Sequence, residues 1–232
     1  MKSVALFDFD NTLYRGFSYF ALIEKQVGEG LVRQTVLDEA FELMSKHHDG
    51  AIDYETTISQ LLDIYAHGLA GKQYTEVYAS TREFYTGNPK VFPYAKPVFE
   101  LLRATHDLYL VTGEPLFVAE AIAEIYSLSG YYGTHYQLAD GAFTGEVVSY
   151  LASRHEKQRA IKHLLDDHAV ANSLAFGDSE GDIEMLSSVA HPICVNPNAG
   201  LREHANKNNW PCVSEDKVEQ SVREALSSLA DE

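Results

Sequence analysis

Asp8 and Asp10 close a short apolar run, Val4-Ala5-Leu6-Phe7-Asp8-Phe9-Asp10, which then breaks at Asn11-Thr12. In an extended chain, residues two apart project to the same side, so the spacing predicts two carboxylates together at the exit of a buried strand. Carboxylates in such a place repel and resist desolvation unless a cation, or a proton held on one of them, compensates. For a site built only of oxygens the simplest cation is divalent, usually Mg²⁺. A retained proton would instead divide the pair into an acid and an ionised partner. For this segment alone, a strand end with solvated acidic residues is an equally good reading.

Further polar clusters stand at comparable places. Thr112-Gly113 ends the apolar run Leu108-Tyr109-Leu110-Val111, where a hydroxyl and the amides of a following helix N-terminus could bind phosphate oxygens. Taken singly, Thr-Gly also marks an ordinary strand-to-turn boundary. Lys157 falls early in a helical pattern, a position where a lysine is usually a solvated charge. Gly177-Asp178-Ser179-Glu180-Gly181-Asp182 follows the run Ser173 to Phe176. Asp178 is expected to face a crevice, with Asp182 one helical turn further along the same face; the plainer reading is an acidic helix start capped by Ser179 or Asp178. Together the clusters supply what phosphoryl transfer needs: a nucleophile, an acid, groups that hold phosphate oxygens, and metal-binding carboxylates. Their agreement at successive strand ends outweighs the separate plain readings.

The elements that must position these groups follow from periodicity. From about Phe17 to Tyr85 apolar residues recur at helical spacing, as in Phe20, Ile23, Val27, then Val36, Ala40, Phe41, Met44, then Ile58, Leu61, Leu62, Tyr65. Gly87-Asn88-Pro89 and Pro93 close this block, and Pro97 opens a helix. Strands and helices then alternate: strand 108–112, helix from about Pro115 to Tyr126, strands 132–138 and 143–148 around an Asp140-Gly141 turn, helix 155–165, strand 173–176, helix 183–186, strand 192–195 and helix 218–229. This order predicts an α/β fold with a parallel sheet. The helical block, inserted after the first strand, should lie above the carboxyl ends of the strands as a lid. We therefore expect two units, a core of residues 1–15 and 90–232 and a helical cap of residues 16–89.

The 232 residues carry 34 acidic and 18 basic side chains, a formal charge of −16. That balance disfavours nucleic acid and anionic membrane as partners and leaves a small molecule bound at a local site. The two cysteines, Cys194 and Cys212, have no metal-ligand spacing. With too few apolar residues before Asp8 for a signal core and no membrane-length run, a cytoplasmic location is expected. Oligomeric state is left open.

The segments DFDNT, VTG, Lys157 and GDSEGD resemble the four motifs of the haloacid dehalogenase-like superfamily, most closely its phosphoserine phosphatase-like branch. Residues 191–205 and the hairpin DGAFTGEV are also similar, so the resemblance runs from residue 4 to about residue 212. It implies a Rossmann-like three-layer core with a parallel sheet and a cap inserted after the first strand. It implies Asp8 as the nucleophile that forms an aspartyl-phosphate, and Asp10 as the acid and then the base. Mg²⁺ would be held by Asp8, the Asp10 carbonyl and Asp178. Thr112, Gly113 and Lys157 would bind the phosphoryl group, and Asp182 would orient Lys157 or a metal-bound water. Two positions depart from that branch. Phe17 stands where a glutamate helps to hold the amine of phosphoserine, and Gly181 stands where an asparagine is usual. The implied activity is hydrolysis of a small phosphomonoester of unassigned identity; a phosphotransferase or mutase with the same intermediate, or a phosphate-binding regulatory protein, are the alternatives. Tyr14, Arg15, Phe17, Tyr19 and Phe20 could shape an aromatic, partly basic pocket, although Phe17 and Phe20 would also suit the interior of the cap.

Overall fold

The computed structural model describes residues 2–151 and 154–230. Its first strand, β1 (Ser3–Phe7), is buried along its whole length, as an apolar run covered on both faces of a sheet must be. It pairs in parallel with β2 (His106–Pro115) and β5 (Leu174–Gly177). Outward from β5 come β6 (His191–Val195) and β7 (Cys212–Val213), both parallel. On the other side β3 (Gly130–Ala139) runs parallel to β2, and β4 (Ala142–Ser149) runs antiparallel to β3. The resulting seven-stranded sheet has the order β4-β3-β2-β1-β5-β6-β7, a Rossmann-like α/β arrangement in which β1 sits at the centre.

Between β1 and β2 the chain forms α1 (Ser18–Gly28), α2 (Gln34–His48), α3 (Tyr54–Leu69), α4 (Tyr74–Tyr85) and α5 (Ala95–Leu102). Later crossovers supply α6 (Leu116–Tyr126), α7 (Arg154–Asp167), α8 (Ile183–Ser187), α9 (Ala199–Asn208) and α10 (Val218–Ala230). The expected turn at Asp140-Gly141 is present, with φ of 52° and 79° at the two residues, the mirror-image geometry that suits a tight hairpin.

Two elements have no counterpart in the sequence expectations. α9 buries only Leu201 and Ala205, too few apolar residues to create a periodic signal, although Asn198 caps it by accepting a hydrogen bond from Leu201 N at 2.9 Å. β7 is two residues long, below the length at which alternation can be read. A further difference affects the site. β2 continues through Thr112 and Gly113 to Pro115, and α6 begins only at Leu116. Thr112-Gly113 therefore lies within the strand and not at its end, while the helix expected from about Pro115 begins at Leu116.

Aromatic packing ties the sheet to what covers it. Phe7 stacks on Phe176 at 4.5 Å and meets Phe99 edge-on at 5.1 Å, joining β1, β5 and α5. Tyr65, fully buried in α3, contacts Tyr19, Phe117 and Tyr136, so the helices after β1 share an interior with α6 and β3. Backbone bonds from Gly71 N to Phe143 O and from Tyr74 N to Gly141 O, both 2.8 Å, fix these helices to the β3–β4 hairpin. Insert and hairpin thus form one continuous wall.

Candidate active site

β1 delivers Asp8 to the carboxyl end of the sheet, where its amide donates to Phe176 O of β5 at 3.0 Å. The chain then turns sharply. Asn11 adopts φ 57°, the amides of Thr12, Leu13 and Tyr14 all donate to Phe9 O, and Asn11 Oδ1 accepts from Gly16 N at 3.1 Å. The turn carries Asp10 away from the direction of Asp8, so the two carboxylates share a site without sharing partners.

Asp8 Oδ1 accepts from Lys157 Nζ at 2.6 Å, and the same ammonium donates to Asp182 Oδ1 at 2.7 Å. All of these side chains are buried. Asp182 does not extend along a helical face with Asp178 as the spacing suggested. It ends a 3₁₀ turn, Glu180–Asp182, and folds back so that its Oδ2 accepts from Asp178 N, Ser179 N and Ser179 Oγ at 3.1–3.2 Å. Gly177 makes room for this: a Cβ there would lie 2.5 Å from Asp182 Cβ.

Asp10 faces different groups. Its Oδ1 accepts from Ser18 N at 3.0 Å. Ser18 Oγ in turn donates to Glu114 Oε1 at 3.3 Å, which brings the Glu114 carboxylate beside Asp10. Thr112 is buried one strand away, with its Oγ1 accepting from Glu114 N at 3.2 Å. Gly113 O accepts from Thr134 Oγ1 at 2.7 Å. Glu114 escaped the sequence reading. The available signal was an ionisable residue set between an apolar strand and the apolar run Leu116 to Ala119.

The electrostatics follow from this crowding. Burial, then Asp182, push Asp8 up to about 7 against the opposing pull of Lys157. Burial, then Asp182 and Asp8, push Asp178 up to about 9. Burial and Glu114 hold Asp10 well above the usual carboxylate range, and burial raises Glu114 as well. For Lys157, burial favours the neutral form, but Asp182 and Asp8 outweigh it and keep the ammonium. One cation faces more carboxylates than it can neutralise. Asp8, Asp178 and Asp182 each place an oxygen within 4.8 Å of the others. Both oxygens of Asp182 are already engaged, which leaves Asp8 and Asp178 as the carboxylates free to hold a divalent cation.

The carboxylates open into a cavity of about 180 Å³ lined on the far side by Phe17, Tyr19, Phe20, Met44, Ile58 and Leu61. Tyr54, at the start of α3, stands at its rim, its phenol pushed up by burial and by Asp178, Asp182 and Asp8. The aromatic pocket foreseen in the sequence is therefore present, with two corrections. Tyr14 is fully buried against Phe9 and Tyr85. Arg15 is exposed, pairs with Glu215 and lies over Phe92, so it adds no basic character. Phe17 and Phe20 line the cavity and do not sit in a closed interior.

The family profile described as haloacid dehalogenase-like hydrolase matches residues 5–187. Over 226 residues the chain is 23% identical to a histidinol-phosphatase of Neisseria meningitidis, covering 92% of this chain and 99% of that protein. It is 27% identical to a phosphoserine phosphatase of Mycobacterium tuberculosis, covering 90% and 70% respectively. Among solved structures, a Bordetella pertussis protein of unknown function is 26% identical with a TM-score of 0.76, covering 93% of this chain and 99% of that one. A phospho-aspartyl intermediate analogue of phosphoserine phosphatase has a TM-score of 0.65 at 18% identity, covering 91% and 93%, and shares the fold. Among the described residues no helix is long and apolar enough to cross a membrane.

Proposed function

This chain belongs to the haloacid dehalogenase-like hydrolases and is a phosphomonoester hydrolase of that family; on that premise we propose that it works through an aspartyl-phosphate on Asp8 with Mg²⁺ as cofactor, on a small-molecule substrate. The observation that carries this reading is the separation of partners at the strand ends. Asp8 is held by Lys157, while Asp10 is held by Ser18 beside Glu114.

Asp8 attacks phosphorus as the bond to the ester oxygen breaks, and Asp10 gives its proton to that departing oxygen. Burial and Glu114 favour the protonated form of Asp10 that this step requires. In the second step Asp10 takes a proton from water as the water attacks the acyl-phosphate, which releases phosphate and restores Asp8. Lys157, buried and charged, neutralises phosphoryl oxygens in a site of low polarity, where such a charge counts for most. Thr112 and Gly113 line the phosphate end of the cavity. Asp182 fixes Lys157 from behind. Asp8 and Asp178, with the Asp10 carbonyl, would hold Mg²⁺, which supplies positive charge to the phosphoryl oxygens when bound. Residues 16–89 act as a cap whose apolar wall selects the leaving group.

The test is hydrolysis of p-nitrophenyl phosphate with and without Mg²⁺, combined with acid quenching and intact-mass analysis. We expect Mg²⁺-dependent turnover and a species heavier by one phosphoryl group that is lost in Asp8→Asn. Turnover retained in Asp8→Asn refutes the nucleophile assignment, and product that depends on an added alcohol points to phosphoryl transfer.

A further inference from the structure

The sheet sets the two cysteines side by side. Cys194 and Cys212 are register partners in the parallel pair β6–β7, and residues opposite each other in a sheet project to one face. Both pack in the apolar cluster that contains Leu201 and Ala205, so the face is the one that α9 covers. Neighbouring strands lie about 4.8 Å apart, inside the range of about 4.4–6.8 Å that a disulfide spans between Cα atoms. Both residues are free thiols, Cys194 buried and Cys212 half-buried on the outermost strand. The thiols interact directly, and Cys212 Sγ in turn reaches Trp210 O at 3.9 Å. Burial, then Cys212 and Asp182, push the Cys194 thiol up to about 12, so the inner sulfur keeps its proton and the outer one is left to react.

The chain between the cysteines supports the candidate active site. β7 has two residues and is tied to β6 by bonds from Cys194 N to Pro211 O at 2.9 Å and from Asn196 N to Val213 O at 2.8 Å. Between these ties Asn198 N donates to Asp178 O at 2.8 Å. Gly200 lies against the Glu180 carboxylate, where a Cβ would come within 1.5 Å of Oε1. Residues 195–211 therefore buttress the turn that carries Asp178.

We propose that Cys212 and Cys194 form an oxidant-sensing dithiol, which a hydroperoxide converts to an intramolecular disulfide that staples this segment. The Cys212 thiolate attacks the peroxide, the O–O bond breaks, and the departing oxygen takes a proton, leaving a sulfenic acid on Cys212. Cys194 Sγ then attacks the Cys212 sulfur, the S–O bond breaks, and hydroxide leaves with the Cys194 proton as water. Two thiols lose two electrons and two protons, and the peroxide takes up both pairs as it becomes an alcohol or water and a second water. A small thiol reverses the bond by exchange at the outer sulfur. Closing the ring from residue 194 to 212 restricts the unfolded chain more than the native one, so the oxidised protein is the more stable form. The inference stands whether or not the chain hydrolyses phosphomonoesters.

The test treats the reduced full chain with hydrogen peroxide, alkylates it in denaturant and digests it with trypsin, which cuts between the cysteines at Arg202 and Lys207. We expect a cross-linked pair of peptides, lighter than the two free peptides by two hydrogens and separated by dithiothreitol. The melting temperature should rise by about 5 °C or more over the reduced protein. Cys212→Ser should keep its Cys194 thiol through the same treatment, and Cys194→Ser should hold Cys212 as a sulfenic acid that dimedone labels. Neither variant should show the rise in melting temperature. Two alkylated cysteines in the oxidised wild type overturn the proposal, as does a disulfide between two chains or an unchanged melting temperature. Oxidation of Cys194 in Cys212→Ser at the wild-type rate overturns the assignment of Cys212 as the sensing thiol. The peptide and melting results come from the wild type, so the proposal can fall without either variant.

Discussion

Lys157 Nζ stands 2.7 Å from Asp182 Oδ1, and both side chains are buried. Asp182 also accepts from two backbone amides of the Asp178-Ser179 turn, so one carboxylate locks both the lysine and the loop that carries Asp178. Removing one member of a buried ion pair leaves an uncompensated charge, which costs about 3–5 kcal/mol. We expect Asp182→Ala to lose about that much stability in urea denaturation and to lower kcat. A variant as stable as the wild type would show that Asp182 is not what holds Lys157.

The roles of Asp8 and Asp10 predict different losses. Asp8→Asn should lower turnover by at least about 10³-fold with the near-UV circular dichroism unchanged. Asp10→Asn should lower it by about 10²–10⁴-fold. A normal single-turnover rate in Asp10→Asn would end its assignment as proton donor.

Without divalent cation, stability should depend on pH in a sense opposite to that of a salt-bridged surface acid. Asp8 and Asp178 rise from an ordinary value of 3.8 to about 7 and about 9 on folding. Between those limits the native state binds more protons than the unfolded chain, so their contribution is present below about pH 4 and is lost as pH rises through 7 and 9. In chelator, the melting temperature should therefore fall across this window, and Mg²⁺ should raise it most at the alkaline end. A Mg²⁺ effect independent of pH would contradict this account.

Gly177→Ala tests how closely Asp182 folds back. The added Cβ would meet Asp182 Cβ at 2.5 Å and Cγ at 2.7 Å, so the turn must shift. A loss of about 1–3 kcal/mol is expected from the overpacking, together with reduced turnover as Lys157 loses its alignment. Unchanged melting and kinetics would show that the turn can yield freely.

Much of the architecture was legible because its signals are local. The buried strands are short apolar runs, the helices before Tyr85 repeat at their own period, and Asp140-Gly141 announces its hairpin. Where the local signal is weak, as in α9 with its two buried residues or in the two-residue β7, the elements escaped notice because sheet packing alone sustains them. The strand expected to end at Thr112 runs on for the same reason: pairing with β3 carries β2 to Pro115, and α6 follows close to its expected start.

By itself the sequence determined which groups gather at the strand ends, because strand order and the turn after each strand are encoded nearby. Asp8, Asp10, Thr112, Lys157, Asp178 and Asp182 all belong to that set. Tertiary structure alone decided how they are paired. Lys157 lies 149 residues from Asp8, and Glu114 lies 96 from Ser18, so no local pattern could report that Asp8 has a lysine while Asp10 has Ser18 and a second acid. Hydrogen bonds at 3 Å depend on the packing of whole elements, and that packing sets the Glu114 carboxylate beside Asp10.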